Sequence, residues 1–179
     1  MKKLFIIPAL AFAVAFSSCG GGESSSDNAD NQSTEVIEET ESTTETVPGA
    51  EDLEIDNTIV LEGNDQMQFD KDLFRVESGE EITLTLKNVG ELPKESMGHN
   101  VVVLVPGTDI ASFGADATGA KDNDYIPEDA DDVIVAHTDL LGPGEETTIT
   151  FTIDEPGVYP FLCSFPGHFG SMKGEIVAE

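Results

Sequence analysis

Most of the chain beyond residue 55 consists of short runs in which apolar and polar residues alternate, separated by turn residues. A period of two is typical of β-strands that have one face in a core and the other in solvent. Glycine or proline at positions 79, 90, 142–144 and 156–157 separates the runs. The predicted strands are Thr58–Leu61, Gln68–Asp70, Leu73–Glu77, Glu81–Lys87, Asn100–Val105, Val133–Thr138, Thr147–Ile153, Gly157–Cys163 and Lys173–Val177.

One segment interrupts the strand pattern. Residues 106–132 are rich in Ala, Gly and Asp, and a short helix is predicted around Ile110–Ala115. Residues 55–179 amount to about 125 residues, which is enough for one hydrophobic core but not for two. Many short strands in one domain favour an all-β antiparallel sandwich, here with a short helical insert.

The first 54 residues have a different composition. Residues 1–18 start with Lys2 and Lys3 and continue with an apolar run that is too short to span a bilayer, as in an export signal. Residues 16–20, Phe-Ser-Ser-Cys-Gly, resemble the lipidation site of bacterial lipoproteins. This resemblance implies a lipid on Cys19 and a periplasmic or outer-membrane location in the cell envelope; an ordinary secreted protein is the alternative.

Residues 19–54 are predicted to form an acidic, disordered tether. They contain scarcely any apolar residues and no Lys or Arg, so they cannot bury a core. The mean reach of such a chain is roughly 30 Å. The folded domain is therefore expected to reorient freely at the end of a membrane anchor.

The charge of the chain excludes one class of partner. There are 36 Asp and Glu residues against 8 Lys and Arg residues, which gives a formal net charge of -28. Binding to nucleic acid requires a basic face that neutralises phosphates, so nucleic acid is not expected as a partner. We expect a soluble, monomeric domain.

The cysteine count points to a metal. The chain has only two cysteines, Cys19 and Cys163, and the first is the expected lipid site. Cys163 then has no disulfide partner. Outside the cytoplasm, a thiolate bound to a metal is one explanation for an unpaired cysteine, and burial in a core is the other.

The sequence CSFPGHFGSM, residues 163–172, places Cys163, His168 and Met172 within ten residues between two predicted strands. A thiolate, an imidazole and a thioether together favour a soft or borderline metal, and copper fits best. A second imidazole completes a plane of two His and one Cys, with Met as a weak axial ligand. His99, at the start of a predicted strand, is in a position to supply it.

Four segments resemble azurins, which are blue-copper proteins of the cupredoxin class. In order along the chain they are GNDQMQFD, LPKESMGHNVVVL, YIPEDADDVIVAHTDLLGPGE and FLCSFPGHFGSMKGEI. The resemblance covers residues 61–177 and implies a Greek-key cupredoxin β-sandwich over residues 55–179. Residues 106–132 are then the helical flap of azurins.

The resemblance also implies the site. One copper ion would have His99, Cys163 and His168 as equatorial ligands, Met172 as an axial ligand and the carbonyl oxygen of Gly98 as a second axial neighbour. Azurins usually carry a disulfide near the start of the fold, which this chain lacks.

Further expectations follow from the resemblance for the surroundings of the site. Asn100 is expected to tie the two ligand loops together, and the backbone amides of Ser164 and Phe165 to bond the Cys163 sulfur. His168 is expected to be partly exposed, as the point where electrons enter and leave. The apolar patch around it would comprise Leu92, Met97, Met67, Phe165 and Pro166.

These features favour an electron-transfer protein that is not an enzyme. Its redox partners would be c-type cytochromes or an oxidase or reductase of the cell envelope. Copper storage or delivery is the alternative, although it favours exposed, Met-rich or Cys-rich sites. A copper oxidase or nitrite reductase requires more histidines than the three present, since His99 and His168 are already ligands and His137 is interpreted as structural.

Overall fold

The structure, a computed structural model, describes residues 47–179. In these residues, strands with alternating buried and exposed side chains form two β-sheets. The strands are β1 (Thr58–Asn64), β2 (Gln68–Phe69), β3 (Leu73–Val76), β4 (Glu81–Asn88), β5 (Val102–Leu104), β6 (Ile134–His137), β7 (Glu146–Thr152), β8 (Gly157–Leu162) and β9 (Lys173–Ala178). Each corresponds to a predicted strand, with bounds that differ by a few residues at most.

The sheets have the orders β2-β1-β4-β7 and β3-β9-β8-β5-β6. Strand β1 is parallel to β4, and β3 is parallel to β9, while the other pairs are antiparallel. The expectation of a purely antiparallel sandwich was therefore wrong in two pairs. The chain leaves the first sheet after β2, adds β3 to the second sheet and returns with β4, so β4 runs in the same direction as β1.

The core lies between the two sheets. In β1 and β4 every second residue is buried, and Ile59, Leu61, Ile82, Leu84 and Leu86 are at most 1% exposed. Burial of one such side chain contributes about 1.5–3 kcal/mol relative to its exposed state. Because Cys163 is unpaired, the described domain depends on this core rather than on a disulfide.

Two α-helices interrupt the sheets, α1 (Lys94–Met97) and α2 (Ile110–Ala117), together with 3-10 helices at Ala50–Asp52 and Lys121–Asn123. Helix α2 confirms the helix predicted in the insert and extends it to Ala117. Asp109 caps its N-terminus, where the Asp109 side chain accepts a hydrogen bond from the Ser112 amide at 2.7 Å. Helix α1 was not predicted, because four residues are too few to show a helical period.

The described chain begins within the segment predicted as the tether. Ala50 is buried, and the carbonyl of Leu53 accepts a hydrogen bond from Arg75 Nη1 at 3.0 Å. Ala50 and Leu53 therefore contact the domain, although they belong to the predicted tether. Residues 1–46, with the expected signal and lipid site, lie outside the described residues. Between residues 47 and 179, no helix has the length and apolarity needed to cross a bilayer.

Candidate metal centre

His99 is fixed by its backbone at one end of the sandwich. Its amide donates to the carbonyl of Leu141 at 3.1 Å, and the Leu141 amide donates back at 2.8 Å. Gly98, between α1 and His99, has no space for a side chain, because a Cβ there would lie 2.7 Å from the Lys94 carbonyl. The close passage of the chain at Gly98 therefore brings the His99 side chain, which is 0% exposed, to the site.

The other candidate ligands lie on the loop between β8 and β9, hereafter the ligand loop (residues 163–172). The Cys163 amide donates to the Met172 carbonyl at 2.9 Å, which closes the loop. The Met172 amide donates to the His168 carbonyl at 2.8 Å, and the His168 amide to the Phe165 carbonyl at 3.0 Å. These turns bring Cys163, His168 and Met172 to the same end of the sandwich as His99.

The donor atoms of His99, Cys163 and His168 all lie within 4.8 Å of one another, and the three residues are buried. The Cys163 sulfur is 3.6 Å from His168 Nδ1, and the two imidazole centroids are 5.1 Å apart. Neither ring nitrogen of His99 has a hydrogen-bond partner among the described residues. Burying an unpartnered polar atom is costly, and a metal ion at the lone pair of one of these nitrogens would remove that cost for it.

The donor set fits a copper ion. Two imidazoles and one thiolate form the strong donors of a trigonal copper site, and a thioether is the usual weak axial donor. Met172 is 0% exposed and packs in one buried cluster with Cys163 and Phe165.

The comparisons with known proteins agree with this chemistry. The family model described as copper binding proteins, plastocyanin/azurin family, matches residues 56–179. The chain belongs to this family. Azurin of Alcaligenes faecalis is 40% identical over 122 residues, which are 66% of this chain and 94% of that protein. Outer membrane protein H.8 of Neisseria gonorrhoeae is 43% identical over 120 residues, 65% of this chain and 64% of its own length.

Among solved structures, auracyanin of Roseiflexus castenholzii, crystallised in a dithionite-reduced form, matches with a TM-score of 0.64 and 36% identity. The match covers 70% of this chain and 99% of auracyanin. Together with the clustered donor atoms, these relatives confirm the cupredoxin sandwich, copper as the cofactor and electron transfer through a blue-copper centre.

In this member of the plastocyanin/azurin family, burial keeps the donors neutral before metal binds. Burial raises the pKa of the Cys163 thiol to about 11, against the opposite effect of the backbone amides of Asn100 and Phe165. Burial and the neighbouring His99 lower the pKa of His168 to about 4. Burial also lowers the pKa of His99, while the Asn64 backbone and the Asp65 carboxylate act in the opposite direction.

Asn100 connects the ligand-bearing segments, as expected. Its Oδ1 accepts a hydrogen bond from the Ser164 amide at 2.8 Å, and its Nδ2 donates to Ser164 Oγ at 2.8 Å and to the Asp124 carbonyl at 3.2 Å. The Ser164 amide is therefore committed to Asn100 and not to the sulfur, which corrects one expectation. The backbone amide of Asn100 itself takes that place beside Cys163, together with that of Phe165.

Gly63 in β1 was missed by the sequence analysis. A Cβ there would lie 3.0 Å from His99 Cδ2 and 3.3 Å from Met172 Cε, so glycine lets β1 pass both side chains without either having to shift. A glycine shortly after a predicted strand was the available signal.

The contacts made by the turn between β1 and β2, residues 65–67, were not predicted either. The Asp65 carboxylate accepts hydrogen bonds from the amides of Glu91 at 2.8 Å and Leu92 at 3.3 Å. The Met67 carbonyl accepts one from Ser171 Oγ at 2.8 Å. This turn therefore connects the segment that precedes His99 with the ligand loop.

The surroundings of His168 differ from the expectation. His168 is only 2% exposed, so it is not the partly exposed residue that was predicted, and Phe165 is 7% exposed. The Phe165 ring lies 4.6 Å from the imidazole and contributes to its burial. An apolar surface is nevertheless present: Met67 and Leu92 are 38% and 44% exposed, and Met97 and Pro166 are half-buried. His137 lies in β6 and not in the donor cluster.

Proposed function

We propose that this chain carries single electrons between redox proteins of the cell envelope, with one copper ion bound by His99, Cys163, His168 and Met172. The carbonyl oxygen of Gly98 would be the second axial neighbour. The observation that carries the proposal is the buried cluster formed by the donor atoms of His99, Cys163 and His168, all within 4.8 Å of one another. Copper supplies a Cu(I)/Cu(II) couple when bound.

The surrounding hydrogen bonds suit a carrier because they restrict movement of the donor atoms. His99 is held by its two-way backbone pairing with Leu141, and Cys163 by its bond to the Met172 carbonyl. Asn100 joins the two segments through Ser164. Donors that keep their positions, in a site from which water is excluded, make electron transfer fast because little has to rearrange.

Burial of the site also favours a carrier over copper storage or delivery. Delivery requires a site that a second protein can enter, whereas His99, Cys163 and Met172 are 0% exposed and His168 is 2% exposed. Within residues 47–179, only one group of His, Cys, Asp and Glu side chains could hold a metal ion. A non-enzymatic role with a single redox centre agrees with this arrangement.

The exposed apolar residues near the site suit a small, transient interface. Met67, Val89 and Leu92 are 38%, 52% and 44% exposed, and Asp65 connects the segments that carry them. Weak redox complexes bury little area and dissociate rapidly. Partners such as c-type cytochromes or an oxidase or reductase would bind here, and the chain itself would act as a monomer.

The experiment that tests the proposed function is copper titration followed by voltammetry. We expect one copper per chain, an intense visible band from the thiolate-to-copper bond and a reversible one-electron wave. A control with zinc should bind at the same donors without colour or redox activity, because Zn²⁺ has no accessible redox couple. Binding of several copper ions without a visible band would instead support storage.

We further propose that residues 1–18 are a lipoprotein signal, that Cys19 carries the lipid and that the acidic segment from residue 19 tethers the domain at 55–179 to a membrane of the cell envelope. Support comes from the Phe-Ser-Ser-Cys-Gly sequence at 16–20 and from the relative named outer membrane protein H.8.

Cys19→Ser is expected to release the protein from membranes, because a lipid on this residue would be the anchor. The visible spectrum should not change, since Cys19 lies outside the domain that holds the site. Fractionation of cells that express each form measures the first effect, and Ser18→Ala, one residue away, is the matched control. A Cys19→Ser protein that stays in the membrane fraction would show that the anchor lies elsewhere.

A further inference from the structure

Phe169, the residue after His168, packs against helix α2. Its half-buried side chain lies against a buried cluster that contains Phe113 and Ala117 of α2 and Leu162, which precedes Cys163. It meets the helix at Gly114, which is buried. The ligand loop and the end of β8 therefore pack on the same helix.

Gly114 leaves the space that Phe169 occupies. A Cβ at residue 114 would lie 3.0 Å from Phe169 Cβ and closer still to its Cγ and Cδ1. Cγ lies on the axis of ring rotation, so turning the ring alone does not remove the overlap, and the close contact with Cβ persists in every rotamer. A methyl group at residue 114 must therefore displace the Phe169 side chain from its place, the backbone of residue 169 or the helix.

A displacement of residue 169 would reach two candidate ligands through the backbone. The His168 carbonyl accepts hydrogen bonds from the amides of Ser171 at 3.0 Å and Met172 at 2.8 Å, and the His168 amide donates to Phe165. Residue 169 lies inside this turn. The position of its side chain therefore contributes to the position of His168 and Met172.

Helix α2 is suited to serve as the fixed side of this contact. Asp109 caps its first turn, and Phe113 and Ala117 are 5% and 0% exposed. At its other end, Thr118 Oγ1 donates to the Gly114 carbonyl at 3.2 Å. Through α2, the flap of residues 106–132 therefore presents a packed surface to the ligand loop.

We propose that Phe169 is a positioning residue of the metal centre, which holds the ligand loop in place through its contact with Gly114 of α2. The consequence for copper rests on the proposed function, whereas the contact itself can be measured in the copper-free protein. The variants are Gly114→Ala, Phe169→Ala and the double variant, all in the full chain.

Hydrogen exchange of the copper-free protein provides the first measurement. The amides of Ser171 and Met172 report directly on the turn at His168, and we expect them to exchange about tenfold faster in Gly114→Ala. In the Phe169→Ala background, the Gly114→Ala change should no longer accelerate exchange, because the overlap is gone and alanine is the better helix former. This loss of effect is the non-additivity expected of residues in contact.

The rate of copper release to a chelator provides the second measurement. We expect Gly114→Ala and Phe169→Ala each to release copper about tenfold faster, equivalent to about 1.4 kcal/mol. Gly119→Ala is the matched glycine control, since its Cβ would make only an ordinary 3.5 Å contact with the Asp116 carbonyl. Phe113→Ala is the matched phenylalanine control, because Phe113 packs in the same cluster but is not on the ligand loop.

Three results would overturn the inference. These are equal exchange and release rates in Gly114→Ala and Gly119→Ala, an undiminished Gly114→Ala effect in the Phe169→Ala background, or equal effects of Phe113→Ala and Phe169→Ala on the loop amides. If Gly114→Ala does not fold, the last comparison decides alone. If the wild-type chain binds no copper, the proposed function fails, while the exchange rates of the copper-free protein still test the contact.

Discussion

Replacing Cys163 with serine is expected to abolish the visible band of the copper-loaded protein and to lower its copper affinity by more than about 100-fold. The thiolate supplies both the absorbing bond and the soft donor. A serine hydroxyl stays protonated in this buried position, so it replaces neither. Absorption spectroscopy and competition with a chelator measure the two effects. A serine variant that keeps the band would rule out Cys163 as the ligand.

Met172→Leu is the matched control for this experiment. Leucine fills a similar volume in the buried cluster with Phe165 but has no sulfur donor. Since the thioether is only a weak axial donor, the variant should keep its colour, and its reduction potential should rise. Together, the two variants distinguish the contribution of the Cys163 thiolate to the visible band from that of the Met172 thioether to the reduction potential.

The fold was predictable from the sequence because strands with one buried face carry a period of two. In β4, for example, the buried residues Ile82, Leu84 and Leu86 alternate with Thr83 and Thr85. The direction of pairing leaves no such mark, which is why the parallel alignment of β1 with β4 was missed. The short helix α1 was missed because its position depends on Pro93 and on its tertiary surroundings rather than on a period.

Three of the candidate ligands could be recognised from the sequence because they lie within ten residues. Backbone hydrogen bonds close the loop that carries Cys163, His168 and Met172. The spacing of these three residues in the sequence therefore largely determines how close their side chains lie. The supporting contacts are different. Asp65 meets the amide of Glu91, 26 residues away, and Gly63 approaches His99 from another strand. Sequence spacing does not encode such contacts, because they exist only once the two sheets have packed.

The burial of His168 was predicted incorrectly for the same reason. The family resemblance implied that His168 is partly exposed, as the point where electrons enter and leave. The structure places the Phe165 ring 4.6 Å from the imidazole. The exposed fraction of a loop residue depends on what its neighbours cover, and this follows from packing rather than from residue type.

Binding of Cu(II) to the copper-free protein at pH 7 is expected to release about one proton per site, and the apparent affinity is expected to rise tenfold per pH unit between roughly pH 7 and pH 9. The source of the proton is Cys163, because burial raises the pKa of its thiol to about 11. The thiol is therefore protonated throughout this range, whereas the metal binds the thiolate. His168 adds no proton in this range, since its pKa is about 4, and burial lowers the pKa of His99 as well, which favours its neutral form at pH 7.

The direction of the effect follows from competition between the proton and the metal. A lower pH stabilises the metal-free thiol, so the affinity falls as the pH falls, and at pH 7 it is about 10⁴-fold below its value with the thiolate already formed. Below about pH 4, protonation of His168 should add one further proton per site to the slope. Calorimetry in buffers of different ionisation enthalpy counts the protons, and Cys163→Ser, which has no thiol to ionise, should release none from this position. Absence of proton release from the wild-type protein at pH 7 would mean that the thiolate exists before copper arrives, and that the backbone amides of Asn100 and Phe165 outweigh burial at the sulfur.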